Sequence, residues 1–307
     1  MTSTATIDTA GGAVVHGMPH DEYLRHPALS NSGAKLLVRP GGPARFRYER
    51  EHGRQEQKRV WDVGHAVHAA VLGVDPGCDV VMVTPTPTKA DPEPVPFPAA
   101  DFRTKSSQEH RDAIRAAGRV PVLASDVALA ADMADALLRH PVAARLMRPD
   151  HGQPEVSLFW HDPEHEVDRR CRVDWLRQAD ANGRLILVDY KTCQSADPDA
   201  LRAAVVRYGY HQQAAWYRDL VIGLGLAVEA PFVFVFQETT APYLVHLVEL
   251  DEQLLMMGAE RNELALRLFA DCTTADVWPG YNDQGITLLS APRWALWEHE
   301  ERFGVDQ

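Results

Sequence analysis

Two aspartates and a lysine between Val167 and Thr192 have residue types and a spacing that could hold a hard divalent cation. The segment R-V-D carries Asp174, and V-D-Y-K-T carries Asp189, Tyr190 and Lys191. Residues i and i+2 of a β-strand point to one face, so Asp189 and Lys191 project together. Between the two segments lies D-A-N-G, Asp180 to Gly183, which has good turn chemistry. If Ala179 pairs with Arg184, Asp174 falls directly opposite Asp189, and such opposed Cβ atoms lie about 4.5–5.5 Å apart.

Two carboxylates that close repel by roughly 4 kcal/mol at about 4 Å and an effective dielectric of about 20. A stable fold relieves this with a shared proton, a nearby cation or a metal ion. Lys191 supplies one positive charge. A hard divalent cation, Mg²⁺ or Mn²⁺, would do more, because it prefers oxygen ligands and binds through one or two carboxylates plus phosphate. The alternative is a structural Asp–Lys–Asp network on a sheet surface. Against it, Asp189 and Lys191 close the apolar run L-I-L-V, which reads as buried, and charges are seldom placed there without a task.

The elements that must position these groups follow from pattern. P-E-V-S-L-F-W, with Glu155, reads as a strand joined to the Asp174 strand by H-D-P-E-H-E, so three consecutive strands run from 155 to 192. Asp197 is placed to cap a helix through D-P-D-A-L-R-A-A-V-V-R-Y. In Y-H-Q-Q-A-A-W-Y, Gln213 and Tyr217 are four apart and share a helix face. P-F-V-F-V-F-Q-E and Y-L-V-H-L-V-E-L alternate as strands around T-T-A-P, and Leu250 to Ala270 is an amphipathic helix. Upstream, Ser30 or Ser32 can cap a helix through Lys35 and Leu37, and Val60 to Leu72 reads as a helix that puts Gly64 and His68 on one face. His68 on its own would read as a satisfied core histidine. Ser107 to Ala117 and Ser125 to Met147 read as helices, and Pro85 to Pro98 as an irregular loop. The first 14 residues read as a flexible tail, and 15–307 as a single domain.

Composition bounds the class. The 307 residues are 45% hydrophobic and 24% charged, an ordinary globular profile. No apolar run suggests a membrane span, and the N-terminus lacks the pattern of a secretory signal. Cys78, Cys171, Cys193 and Cys272 form no CxxC and no cluster. They read as free thiols in a reducing cytoplasm, with no zinc or iron–sulfur site. A net charge of −12 excludes binding to nucleic acid by bulk electrostatics but leaves room for a local basic groove. Two stretches could line one: K-L-L-V-R with R-F-R-Y-E-R, and Arg169 to Arg172.

Taken in order, L-S-N-S-G, G-H-A-V-H with His68, E-V-S with Glu155, R-V-D, V-D-Y-K-T and Y-H-Q-Q-A-A-W-Y resemble the PD-(D/E)XK nuclease superfamily, over about Val15 to Tyr281. Within it they are most similar to the RecE-like, exonuclease VIII-type exodeoxyribonucleases. The resemblance implies an α/β restriction-endonuclease-like core, a central mixed sheet flanked by helices, with N-terminal helical additions. It implies a magnesium-dependent hydrolase that degrades one strand of linear duplex DNA 5′ to 3′. The 3′ tail left behind would serve recombination with a single-strand annealing protein, in a phage or prophage setting. Carried over by motif, Asp174 and Asp189 bind Mg²⁺ with the carbonyl of Tyr190, and Lys191 positions or activates the attacking water. His68 is an outer metal or substrate contact, Glu155 matches the family pattern as a further metal ligand, and Gln213 and Tyr217 hold the site and the DNA strand. Tyr190 stands where an aliphatic residue is usual, which is harmless if only its backbone is used. By analogy the chain would form a homo-oligomeric ring, a trimer or tetramer, around DNA. Two other readings stay open: an endonuclease or single-strand nuclease of the same fold, and a non-catalytic DNA-binding assembly protein.

Overall fold

A computed structural model describes residues 5–9, 11–53, 59–75, 77–89, 91, 93–178, 185–283 and 285–304. The chain opens with strands β1 (Ala5–Thr9) and β2 (Gly12–His16), then helix α1 (His20–Arg25), a two-residue strand β3 (Leu29–Ser30), and helices α2 (Asn31–Leu37), α3 (Gly42–His52) and α4 (Arg59–Leu72). A peripheral unit follows: β4 (Cys78–Val80), β5 (Met82–Val83), β6 (Phe97–Pro98), α5 (Lys105–Ala116) and β7 (Val120–Val122), in which β4 pairs with β7 and β5 with β6. Helices α6 (Ala124–Arg139) and α7 (Pro141–Leu146) lead into β8 (Gly152–Asp162), β9 (Val167–Arg177) and β10 (Ile186–Cys193). Helices α8 (Pro198–Arg207) and α9 (Tyr210–Gly223) cross to β11 (Phe232–Glu238), followed by β12 (Val245–Glu249), α10 (Glu252–Ala275) and α11 (Arg293–Phe303).

The large sheet runs β1-β2-β8-β9-β10-β11-β12, and β3 also pairs with β9. It is mixed: β10–β11 and β3–β9 are parallel and the other pairs antiparallel. Strand alternation feeds two cores. Leu187, Phe232, Phe234 and Phe236 pack with Trp216 and Leu220 of α9 and Leu266 of α10. Val188, Tyr190, Val233 and Val235 pack with Val67 of α4 and Met133 and Leu137 of α6. The expected mixed α/β sheet flanked by helices is therefore the architecture found.

Two expectations change, and a third falls outside the described residues. The stretch read as a tail through residue 14 contains β1 and the first part of β2, and β2 pairs with β8 from Gly12↔Trp160 to Val15↔Ser157. Val14 and Val15 are buried there, so sheet burial holds this end, and a Cβ on Gly12 would lie 2.0 Å from the Phe159 carbonyl oxygen. The helix read through Ser125 to Met147 is two helices, broken where Pro141 starts α7 and His140 Nδ1 accepts the Ala143 N–H at 3.2 Å. Proline suits a first helical turn and disrupts an interior one. The D-A-N-G turn lies outside the described residues. The register it was expected to set is nevertheless found, from Ile186↔Arg177 to Val188↔Trp175.

Candidate active site

The site forms where two strands part. β9 has β10 alongside Trp175 to Arg177 and β3 alongside Arg169 and Arg170, so Cys171 to Asp174 lie between the two pairings. The ladder to β10 stops at Val188↔Trp175, one pair short of Asp174 and Asp189. The Tyr190 N–H donates instead to Asp174 Oδ2 at 2.9 Å. Val173 packs in the core with Trp216, whereas Trp175 packs in the one with Val67. The strand thus turns over at Asp174, and groups from both helical layers reach it. On the other flank, the pairs Pro154↔Trp175 and Val156↔Val173 set Glu155 across from Asp174. Glu155 has φ 49°, a strained region for a residue with a Cβ, and such strain clusters at functional sites.

Asp189 is 1% exposed. Its Oδ1 accepts from Gln213 Nε2 on α9 at 2.5 Å, and its Oδ2 lies 2.5 Å from Lys191 Nζ. Among the described residues Lys191 is the one cation at Oδ2, and no donor from another residue reaches that oxygen. Asp174 Oδ2 lies 3.1 Å from His68 Nε2 of α4. Glu155 lies 4.0 Å from His68 Nδ1 and 3.6 Å from an Arg172 guanidinium nitrogen. Asp174, Asp189, Lys191, His68, Glu155 and Gln213 are therefore brought together. Tyr217 is on the same helix, but its ring packs edge-on to Phe232, and it makes no hydrogen bond to either aspartate among the described residues. Tyr190 turns its ring to the other layer and donates to Gln237 Oε1 at 2.6 Å, so only its backbone faces the carboxylates.

Burial and charge split the two aspartates. Burial pushes the Asp189 carboxyl up to about 6, against the pull of Lys191 and with the help of Asp174. Burial acts on Asp174 too, but His68, Lys191 and the Tyr190 N–H outweigh it and hold that carboxyl below its usual range. Both cations answer in kind. Burial depresses Lys191 and His68, and their carboxylate neighbours more than reverse it, so both are raised.

The donor set fits a hard divalent cation: one buried carboxylate, Asp189, and one half-buried carboxylate, Asp174, with no sulfur ligand beside them among the described residues. Among the described residues, no three His, Cys, Asp or Glu side chains converge as a metal cage. Here the protein's own Lys191 and His68 stand against the carboxylates. Two carboxylates completed by water and phosphate are what Mg²⁺ sites commonly offer.

Residues of both candidate basic stretches lie beside the site, a placement that the sequence alone does not give. Lys35 of α2 and Lys191 lie 5.7 and 5.5 Å from the centroid of the Tyr210 ring. Arg172 and Arg170 both stack on Tyr23 at 4.6 Å. The i, i+2 spacing of these arginines, continuing to Asp174, was the available signal, since all three share a strand parity.

The fold and this carboxylate–lysine arrangement define a PD-(D/E)XK-like protein. The chain belongs to the family described as a PDDEXK-like domain of unknown function (DUF3799), whose family model matches residues 42–285. It is similar in fold to a crystal structure of a candidate exonuclease from Eubacterium rectale, at 14% identity and a TM-score of 0.57, covering 94% of this chain and 99% of that one. No curated protein matches the sequence. No helix among the described residues is long and apolar enough to cross a membrane.

Proposed function

We propose that the protein is a divalent-metal-dependent DNA exonuclease of RecE-like type, acting on ends of linear duplex DNA. The observation that carries this reading is the Asp174–Asp189–Lys191 constellation at the parting of β9 and β10, with His68 and Gln213 holding the carboxylates from opposite layers. Asp174 and Asp189 would hold Mg²⁺ or Mn²⁺. A cation held there supplies a water of lowered pKa and offsets charge on the phosphate. The chain's own groups do the rest. Gln213 fixes the Asp189 carboxylate and His68 fixes Asp174, so neither rotates during the reaction. Lys191, drawn to Asp189 in the free protein, meets the phosphate's developing negative charge when substrate is present. Tyr217 and Glu155 serve as supports, Glu155 by holding His68 and Arg172.

Polarity and assembly rest on the family resemblance: 5′ to 3′ degradation, a 3′ tail for an annealing protein, and a trimeric or tetrameric ring. Exposed apolar residues offer surface for assembly. Ile286, Leu288, Leu289, Trp294 and Trp297 are all exposed, and α11 buries no residue of its own.

The test uses linear duplex DNA labelled at one end or the other, beside covalently closed circular DNA. The reading expects Mg²⁺-dependent early loss of the 5′ label and intact circles. Early loss of the 3′ label would reverse the polarity, and nicked circles would favour an endonuclease of this fold. Binding without any cleavage would favour the assembly-protein reading.

A further inference from the structure

Lys35 is held beside the site by packing that does not satisfy its charge. Asn31 and Lys35 are one helical turn apart on α2 and share a face. Asn31 Nδ2 donates to the Gln212 carbonyl at 3.4 Å and so ties that face to α9. The lysine stem lies on Gly209, where an added Cβ would stand 3.3 Å from Lys35 Cε. Gly209 has φ +65° and precedes α9, so a glycine both makes the turn and leaves room for the stem. The ammonium group ends over Tyr210, the ring that Lys191 also approaches.

The two lysines differ in compensation. Lys191 has the Asp189 carboxylate at 2.5 Å. Lys35 has no ion pair and no hydrogen bond among the described residues. Burial, and then the like charge of Lys191, push its amine down to about 7, while Asp189 pulls the other way. Anionic groups brought up to the two lysines would favour both charged forms. Cation–π contact alone does not account for placing a second ammonium against the ring that Lys191 already approaches.

We propose that Lys35 binds a backbone phosphate of the nucleic-acid strand next to the phosphate at Lys191, so that the two lysines flanking Tyr210 grip successive phosphates. This rests on the nuclease reading of the Asp174–Asp189–Lys191 site. Lys35 is a substrate-positioning group, and its loss acts first on binding.

The experiment compares wild type with Lys35→Met, which keeps the packed stem, and Lys35→Arg, which keeps the charge. Binding of a labelled linear duplex is measured in EDTA across a salt series, and Mg²⁺-dependent cleavage is measured on the same DNA. Removing one phosphate contact lowers the slope of log K against log salt by about 0.9. Lys35→Met is expected to show that loss, with low-salt binding weakened on the order of tenfold and KM raised more than kcat falls, and Lys35→Arg to recover the slope. An unchanged slope in Lys35→Met, with wild type still cleaving, overturns the proposal and leaves the nuclease reading intact. Wild type that neither binds nor cleaves DNA overturns the nuclease reading and this proposal together.

Discussion

Asp189 is the residue on which competing demands meet. It is nearly fully buried, it faces Asp174, and it carries one hydrogen bond from Gln213 and one ion pair to Lys191. Removing Gln213 leaves a buried carboxylate oxygen without its donor, a loss of about 1–3 kcal/mol. Gln213→Leu should therefore lower the denaturant midpoint of the metal-free protein as well as its activity. A cation bound by the pair should add about 2.7 kcal/mol at 100 times its Kd. Mg²⁺ titration should raise the melting temperature of wild type and leave that of Asp174→Asn unmoved. Calorimetry of the two proteins checks this. The grouping at this scale was legible because a strand's period of two is a strong rule: it put Asp189 and Lys191 on one face, and the 3.6-residue helical period put Gln213 and Tyr217 on one face, of which Gln213 reaches Asp189. Lys35 was legible only as part of the basic stretch K-L-L-V-R. Its place at the site depends on a helix contact, Asn31 to Gln212, that joins segments 181 residues apart.

At the scale of elements, closeness of helices decides the sign of a substitution. Gly258 sits where α10 crosses α9, and a Cβ there would lie 2.2 Å from the His211 carbonyl oxygen. Gly64 on α4 has nothing within 4 Å of such a Cβ. Gly64→Ala should stabilise by about 0.5–1 kcal/mol, the ordinary helix-propensity gain. Gly258→Ala should destabilise by about 1–3 kcal/mol as the helices are forced apart. Urea denaturation of both variants separates the two cases.

The β8–β9 hairpin adds a pH dependence. Asp162 Oδ1 accepts the Glu164 N–H at 3.1 Å, and its Oδ2 accepts from Arg169 at 3.1 Å. Burial pushes this carboxyl up, but Arg169, His165 and the Glu164 N–H outweigh it, and it is lowered from 3.8. A carboxyl depressed in the folded state contributes stability that is complete above its unfolded pKa and is lost as pH falls through the folded one. Wild type should lose stability below about pH 3.8, and Asp162→Asn should lose this part of the acid dependence while being less stable at neutral pH. Hairpins and long helices were readable here from alternation and caps, Ser30 and Asp197 among them. The N-terminal hairpin was not, because five-residue strands of mixed polarity acquire meaning only when β8 is there to pair with.

At the scale of the molecule, charge and apolar surface divide between the two sides of the argument. The net charge is −12, yet three arginines, Arg169, Arg170 and Arg172, are buried along β9 near the carboxylates. Arg169 anchors the far end, between Trp160 and Trp216 and paired with Asp162 and Asp219. The apolar residues around α11 face outward. If they assemble copies of the chain, light scattering should show an oligomer, and Trp297→Glu should shift it toward monomer.

If Asp174, Asp189 and Lys191 hydrolyse DNA with a divalent cation, loss of one of these groups or of the cation must remove cleavage. The most direct measurement is single-turnover cleavage of linear duplex DNA by wild type, Asp189→Asn and Lys191→Ala, each with Mg²⁺ and with EDTA, and with folding checked by circular dichroism. Cleavage by wild type in Mg²⁺ alone, reduced at least 100-fold in both folded variants (about 2.7 kcal/mol of transition-state stabilisation), is the predicted result. Cleavage that survives in folded Lys191→Ala, or proceeds equally in EDTA, would contradict it.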